Sequence, residues 1–296
     1  MSRQTVLFDA PGPRARRNVR VGNWVGAVVV IGIAVFVLIQ LNAAGQLRPE
    51  LWAVVVDPDS WRYNFLPGLQ NTLVAAAYAI VTSVVFGLLF GVGRLAANRA
   101  LRWFSGVVVE FFRAVPVLVM MVAGYQILGR FTAVSGTAQL LLSVVIALTL
   151  YNGAVIAELV RSGVHGLPKG QREAGLAIGM TRGQSIRSIE LPQALIAMLP
   201  SLVSQFVVIL KDTALGYIIV YPELLRSARL LGSGAPFAIL QSLFVAALIF
   251  IVLNYLLSKV AELVARKVGG RTSGKARANP APPNAVTVPA VGGGTQ

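Results

Sequence analysis

Six stretches of the chain are mostly apolar over the length of a membrane-crossing helix: roughly 22–41, 67–93, 105–128, 139–160, 196–220 and 235–258. About 20 such residues suffice to span the hydrocarbon core of a bilayer. The first stretch has an apolar core from Val25 to Leu41. That is longer than the roughly 7–15 residues of a secretory signal, so it is predicted to persist as a span. The small residues Asn42-Ala43-Ala44-Gly45 leave a cleavage site after it as the alternative.

Composition agrees with the pattern. Of the 296 residues 56% are hydrophobic and 12% charged, against about 25% charged in a soluble domain. The mean hydropathy is +0.72. With no cysteine and a single histidine, His165, thiol chemistry, disulfides and a histidine-built metal cluster are excluded. The sequence therefore predicts neither a metal nor a cofactor.

The net charge of +15 does not mark a nucleic-acid binder, because the basic residues are sorted by topology. One side collects Arg3, Arg14, Arg16, Arg17 and Arg20, then Arg94, Arg99 and Arg102. It also collects Arg161, Lys169, Arg172, Arg182 and Arg187, and the tail residues Lys259, Arg266, Lys267, Arg271, Lys275 and Arg277. The other side has only Arg48, Arg62, Arg130, Arg226 and Arg229. The positive-inside rule puts the first set in the cytoplasm, with both termini inside. Trp24 and Trp103 then fall at inner ends of spans and Trp52 and Trp61 at the outer side, as an aromatic belt requires. Residues 1–21 read as a basic cytoplasmic arm near anionic headgroups. Residues 269–296, rich in Gly, Pro, Ala, Ser and Thr, read as a disordered cytoplasmic tail.

The longest inner loop is expected to carry the function. From Gly166 to Pro200 it reads as two short helices about a turn. Pro168 suits a first helical turn. Gly179 suits a left-handed helix stop. Thr181 with Gln184 makes a capping-box pattern for a second helix. In that helix Ile186 and Ile189 share a face, leaving Arg182, Arg187 and Glu190 to water. A pair of helices lying on the membrane surface is the other reading of these local signals.

The spacing of this loop resembles the EAA signature of binding-protein-dependent ABC permeases. That signature is Glu-Ala-Ala, then Gly, Ile and Leu-Pro at fixed gaps. Here it is Glu173-Ala174-Gly175, Gly179, Ile189 and Leu191-Pro192, with Gly175 replacing the usual alanine. That change is expected to loosen the first helix slightly. Tyr151-Asn152-Gly153-Ala154, Phe112-Arg113-Ala114-Val115-Pro116 and Lys211-Asp212-Thr213-Ala214-Leu215 are similar to stretches of the histidine/glutamine/glutamate permeases. The extra first span looks like that of actinobacterial glutamate permeases.

The resemblance implies an all-α integral membrane protein with the type I ABC importer fold, about six spans and a cytoplasmic coupling loop over 164–195. It implies an extra span and external loop over 22–60 and a permease core over 61–268. The implied partners are a cytoplasmic ABC ATPase dimer, a second permease subunit (the same chain or a paralogue), an extracytoplasmic solute-binding protein and membrane lipid. The implied substrate is a polar amino acid, with glutamate favoured and glutamine, aspartate or basic amino acids open. The chain has no Gly-x-x-x-x-Gly-Lys-Ser/Thr phosphate loop, so ATP hydrolysis falls to the partner. A stand-alone secondary transporter or channel is the alternative, but the two halves show no repeat.

Charged and amide side chains inside spans are costly and are functional candidates by default. Asn152, Lys211 and Thr213 are expected to contact substrate, and Glu158 and Asp212 to pair within the protein. Glu110 and Arg113, three apart on one helical face, are expected to form a structural ion pair, with a bend at Pro116.

Overall fold

The computed structural model describes residues 12–269. The tail expected over 269–296 lies outside the described residues beyond Gly269, as does the arm before Gly12. Every regular element among the described residues is helical.

Helix α1 (Pro13–Ala43) opens with proline in its first turn, where a missing N–H costs nothing. The described part of the basic arm is thus continuous with the first span. Helix α2 (Pro49–Val56), the short turn α3 (Pro58–Ser60) and a π turn over Trp61–Phe65 lead into α4 (Leu66–Leu95). Then come α5 (Arg99–Ala114), α6 (Val117–Phe131) and α7 (Gly136–His165). The loop after α7 contributes α8 (Lys169–Ala177), α9 (Arg182–Ser185), a second π turn over Ile186–Glu190, and α10 (Leu191–Ala197). Helix α11 (Leu199–Asp212) continues as a 3₁₀ segment, Thr213–Ile219, and α12 (Leu224–Ser233) precedes α13 (Ile239–Gly269).

Five of these segments are long and apolar enough to cross a membrane. The stretch expected as one span over 105–128 is instead two helices, α5 and α6, bent by 99° at Val115-Pro116. Pro116 has no N–H to continue the ladder, and its ring forces the preceding residue into extended backbone, seen at Val115 (φ −82°, ψ 127°). Counting the bent pair as one gives six spans.

The chain divides into two compact units. One comprises the described residues up to Ala77, Gly124–Val144 and Asp212–Val252. Its core is Val55, Phe65, Leu224, Ala228 and Ala246, with Trp52 and Trp61 against it. Four hydrogen bonds pin it: Asn71 Nδ2 donates to Pro222 O (2.8 Å), Tyr221 OH to Asn71 O (2.9 Å), the Leu224 amide to Thr72 Oγ1 (3.0 Å) and Trp61 Nε1 to Val55 O (2.9 Å). Gly68 is required there, because a Cβ would lie 3.0 Å from Leu224 Cα and closer to Ser227.

The second unit comprises Tyr78–Ala123, Val145–Lys211 and the residues from Leu253 on. Helices α4 and α7 meet in it almost backbone to backbone. Gly87 and Gly91 of α4 present no side chain to Ile156 and Val160 of α7, and Gly153 of α7 presents none to Phe86. This is small-residue packing of the kind that joins helices in lipid, where no hydrophobic force acts between them. Ser83 Oγ donates to Leu148 O (3.3 Å) along the same contact.

Glu223, between the last two spanning helices, is fully buried and caps α12. It accepts from the amides of Leu225 and Arg226, both at 2.7 Å. Burial pushes its carboxyl up from 4.5 to about 7, against the pull of those two amides. Between these values the folded chain holds a proton that the unfolded chain has released, so stability falls as pH rises through this window. The thermal midpoint of the purified protein is expected to drop between about pH 5 and pH 8, and Glu223→Gln, which keeps one acceptor for the cap, to flatten that drop. Superimposable pH profiles for the two proteins would refute the burial effect.

Candidate functional site

The loop between α7 and α11 is a capped pair of helices. Helix α8 starts one residue after Pro168, which is its N-cap, not its first helical residue. Its C-terminus closes as a Schellman motif: the Met180 amide donates to Gly175 O (3.1 Å) and the Gly179 amide to Leu176 O (3.0 Å). Gly179 sits at φ +85°, as its place in the sequence predicts. Helix α9 starts in a complete capping box. Thr181 N donates to Gln184 Oε1 (2.8 Å), and Gln184 N donates to Thr181 Oγ1 (3.4 Å).

Glu190, expected to face water, is 2% exposed. The π turn inserts an extra residue into the helix. It rotates Glu190 by about 100° relative to an unbroken α-helix, in toward α8. There its carboxylate accepts from Ser185 Oγ (2.9 Å) and from Arg172 Nε (3.4 Å). Gly175 is the complement of this arrangement. A Cβ on it would lie 3.1 Å from Ile189 Cδ1 and 3.2 Å from Ser185 Oγ. The glycine thus admits the neighbouring turn more closely than alanine would. Gly175, Ile189 and Leu191 face inward, whereas Glu173, Ala174, Gly179 and Pro192 are exposed. So are two large apolar side chains beside the turn, Leu176 (47%) and Ile178 (76%).

A chain of alternating charges joins the C-terminal ends of α4, α5 and α7. Arg113 Nη1 is 3.3 Å from Glu110 Oε2, Arg94 Nη2 is 3.1 Å from Glu110 Oε1, Arg94 Nη1 is 3.0 Å from Glu158 Oε2, and Arg161 Nη2 is 2.6 Å from Glu158 Oε1. The pair expected from helical spacing, Glu110–Arg113, is present, and Glu158 pairs with Arg161, also three residues away. Arg94, one of the cations that the positive-inside rule assigns to the cytoplasmic side, joins them. Its partners lie on other helices, so no spacing rule could reach it. Its side chain is only 14% exposed, and removing it would strand Glu158 between helices with one partner fewer. Just beyond the chain, His165 Nδ1 lies 2.7 Å from Arg161 O, and since a carbonyl only accepts, the ring proton sits on Nδ1.

The pathway candidates separate by exposure. Asn152 is fully buried and its Oδ1 accepts from Gln205 Nε2 (2.6 Å), a partner that the sequence did not suggest. Thr213 is buried and Asp212 half-buried. Lys211 alone is exposed, and it forms no ion pair among the described residues. It lies at the last turn of α11, where the α-helix gives way to the 3₁₀ segment. Such a change within one span commonly marks a hinge.

Residues 83–270 match the protein family described as binding-protein-dependent transport system inner membrane component. The glutamate transport system permease protein GluD of Corynebacterium glutamicum is 44% identical over 240 residues, covering 81% of this chain and 86% of that protein. The glutamate/aspartate import permease protein GltK of Escherichia coli is 31% identical over 192 residues, covering 63% of this chain and 86% of that one. Among solved structures, a crystal structure of an amino acid ABC transporter with histidines superposes with a TM-score of 0.62 at 28% identity, covering 69% of this chain and 93% of its own.

The buried carboxylate in the inner loop sets a test. Glu190→Ala leaves Ser185 Oγ and Arg172 without their acceptor, so it is expected to cost about 1–3 kcal/mol of stability. The drop is readable as a lower thermal midpoint in detergent. Glu173→Ala, at an exposed position in the same loop, should leave the midpoint in place. Equal midpoints for all three proteins would show that Glu190 is not holding the loop.

Proposed function

The chain belongs to the family of binding-protein-dependent transport system inner membrane components, and from that premise we propose that it forms the translocation pathway of an ABC importer for a polar amino acid. Glutamate is the favoured substrate, in keeping with its likeness to two glutamate permeases. In this reading both termini are cytoplasmic. The core over 61–268 pairs with a second permease subunit, receives substrate from an extracytoplasmic solute-binding protein, and rests on a cytoplasmic ATPase dimer.

The observation that carries the reading is the inner loop. A loop capped at both sides of a left-handed glycine, and tied internally through buried Glu190, nonetheless exposes Leu176 and Ile178 beside Glu173. Large apolar side chains on such a turn fit a protein cleft. We assign Glu173, Ala174, Gly179 and the flanking apolar pair to the ATPase contact. Gly175, Ile189, Leu191 and Pro192 keep the loop in shape. When ATP closes the partner, the loop carries that displacement into the helices on either side of it.

Gly179→Val puts a branched side chain at φ +85°, where an L-residue pays roughly 1–2 kcal/mol. In the assembled transporter it is expected to uncouple ATP hydrolysis from uptake while leaving the subunit in the membrane. Normal uptake with normal ATPase association would remove the loop from the mechanism.

In the pathway, Lys211 supplies the cation for a substrate carboxylate. Asn152 and Thr213, both buried, reach substrate only if neighbouring helices part. Glu158 and Asp212 remain structural, as does the pair Glu110–Arg113. Lys211→Met should depress uptake of acidic amino acids by about tenfold or more, the worth of one charge-assisted hydrogen bond of roughly 1.5–3 kcal/mol. Unchanged uptake and unchanged preference between acidic and basic amino acids would exclude Lys211 from the substrate path.

A further inference from the structure

A groove of about 520 Å³ runs along the inner end of α4. Its walls are the last turns of α4 (Leu89, Val92), the first turn of α5 (Leu101) and the loop segment after α9 (Ile186, Leu191). Leu89 is 67% exposed and Leu101 49%, so the groove is apolar and open. It lies at the C-terminal end of the apolar segment Pro58–Leu95, which is long enough to cross a membrane. Exposed Trp103, a residue type that favours the headgroup level, follows two residues after Leu101.

Two guanidinium groups stand at this groove. Arg187 is part of its wall. Arg102 donates from Nη1 to Ala96 O (3.1 Å), and Ala96 is another wall residue. Both arginines are exposed, and neither has an acidic partner among the described residues. Of the carboxylates on the neighbouring elements, Glu110 and Glu158 are committed to Arg94, Arg113 and Arg161, Glu190 is committed to Ser185 and Arg172, and exposed Glu173 of α8 pairs with neither arginine among the described residues. An open apolar slot topped by two unneutralised cations, at the boundary of a spanning helix, is complementary to one kind of molecule. It must carry a hydrocarbon chain and an anionic head.

We propose that the groove is a binding site for an anionic phospholipid of the inner leaflet. An acyl chain lies against Leu89, Val92 and Leu101, and Arg102 and Arg187 hold the phosphate. The site is separate from the substrate path and needs no ATP. It places a lipid against α9 and the π turn, and so beside the loop assigned to the ATPase contact.

The test uses the whole chain in vesicles of phosphatidylcholine containing phosphatidylglycerol, with retained lipid counted by native mass spectrometry. The wild type is expected to keep phosphatidylglycerol in preference to phosphatidylcholine. Arg102→Gln with Arg187→Gln should lower that retention by about tenfold or more, since each basic side chain near an anionic surface contributes roughly fivefold. Ala97→Trp, at another wall position, should lower it by filling the slot. The charge-matched pair Arg62→Gln with Arg130→Gln, expected on the opposite side, should not. Equal retention of the two lipids by the wild type, or of phosphatidylglycerol by the arginine variant, would overturn the site. So would loss of ATPase association by Ala97→Trp with lipid retention intact, which would make the groove a protein contact. If Ala97→Trp does not fold, the arginine pair alone decides.

Discussion

The contact between α4 and α7 is the one on which the second unit depends. Lipid offers no hydrophobic drive between helices and no water for stranded polar groups, so helices must approach closely and satisfy one another. Gly87, Gly91 and Gly153 make that approach possible, and a Cβ at Gly91 would come within 3.0 Å of Ala157 O. One turn beyond Gly91, the approach brings Arg94 within 3.0 Å of Glu158. Arg94 also reaches Glu110, and so draws α5 into the same assembly. Three arginines and two glutamates are then held in one chain across three helices, where an isolated charge would be prohibitive. Filling any of these three glycines would separate not only two helices but the whole ion-pair chain.

The spans were legible because hydropathy over twenty residues is a coarse quantity. The bend at Pro116 was legible because proline acts locally. So were the caps of the inner loop: Gly179 and the Thr181–Gln184 box are decided by residues three or four apart, and local chemistry settles them. What stayed hidden has a common cause. Arg94 finds its partners sixteen and sixty-four residues away. Gln205 meets Asn152 across fifty-three. Glu190 was misread because a π turn shifts the helical register, and no simple sequence rule announces one. The apolar neighbours Ile189 and Leu191 were the available hint that this carboxylate was flanked by buried structure. The comparisons bear out the family and the all-α importer fold, while the roles of individual residues rest on geometry and on the experiments above.

Among the described residues, two of the three π or 3₁₀ departures from the regular α-helix fall where the proposed mechanism asks for adaptable structure; the third is the π turn over Trp61–Phe65. A π turn tucks Glu190 under α8, and a 3₁₀ segment starts directly after Lys211 and Asp212. Both replace the 3.6-residue repeat within a continuous helical path, and both reorient side chains without breaking the chain. A shift of register at the second site would swing Lys211 relative to its neighbours at little backbone cost, since 3₁₀ and α hydrogen bonding differ by one residue.

The connectors on either side of the inner loop complete the mechanical argument. Only Gly166, Leu167 and Pro168 separate α7 from α8, and only Met198 separates α10 from α11. Met198 keeps the helical ladder nearly unbroken: its amide donates to Ala194 O (2.9 Å), and its carbonyl accepts from Leu202 N (3.0 Å). Its side chain is buried against Ile156 and Val160 of α7. Under the importer reading, a push on the loop therefore has little slack to absorb it. It must pass through one helix toward Glu158 and Arg161 and through the other toward Lys211. Glu158 and Arg161 of the ion-pair chain, and the lysine proposed for the substrate path, are thus placed on the two helices that a moving ATPase would drive first.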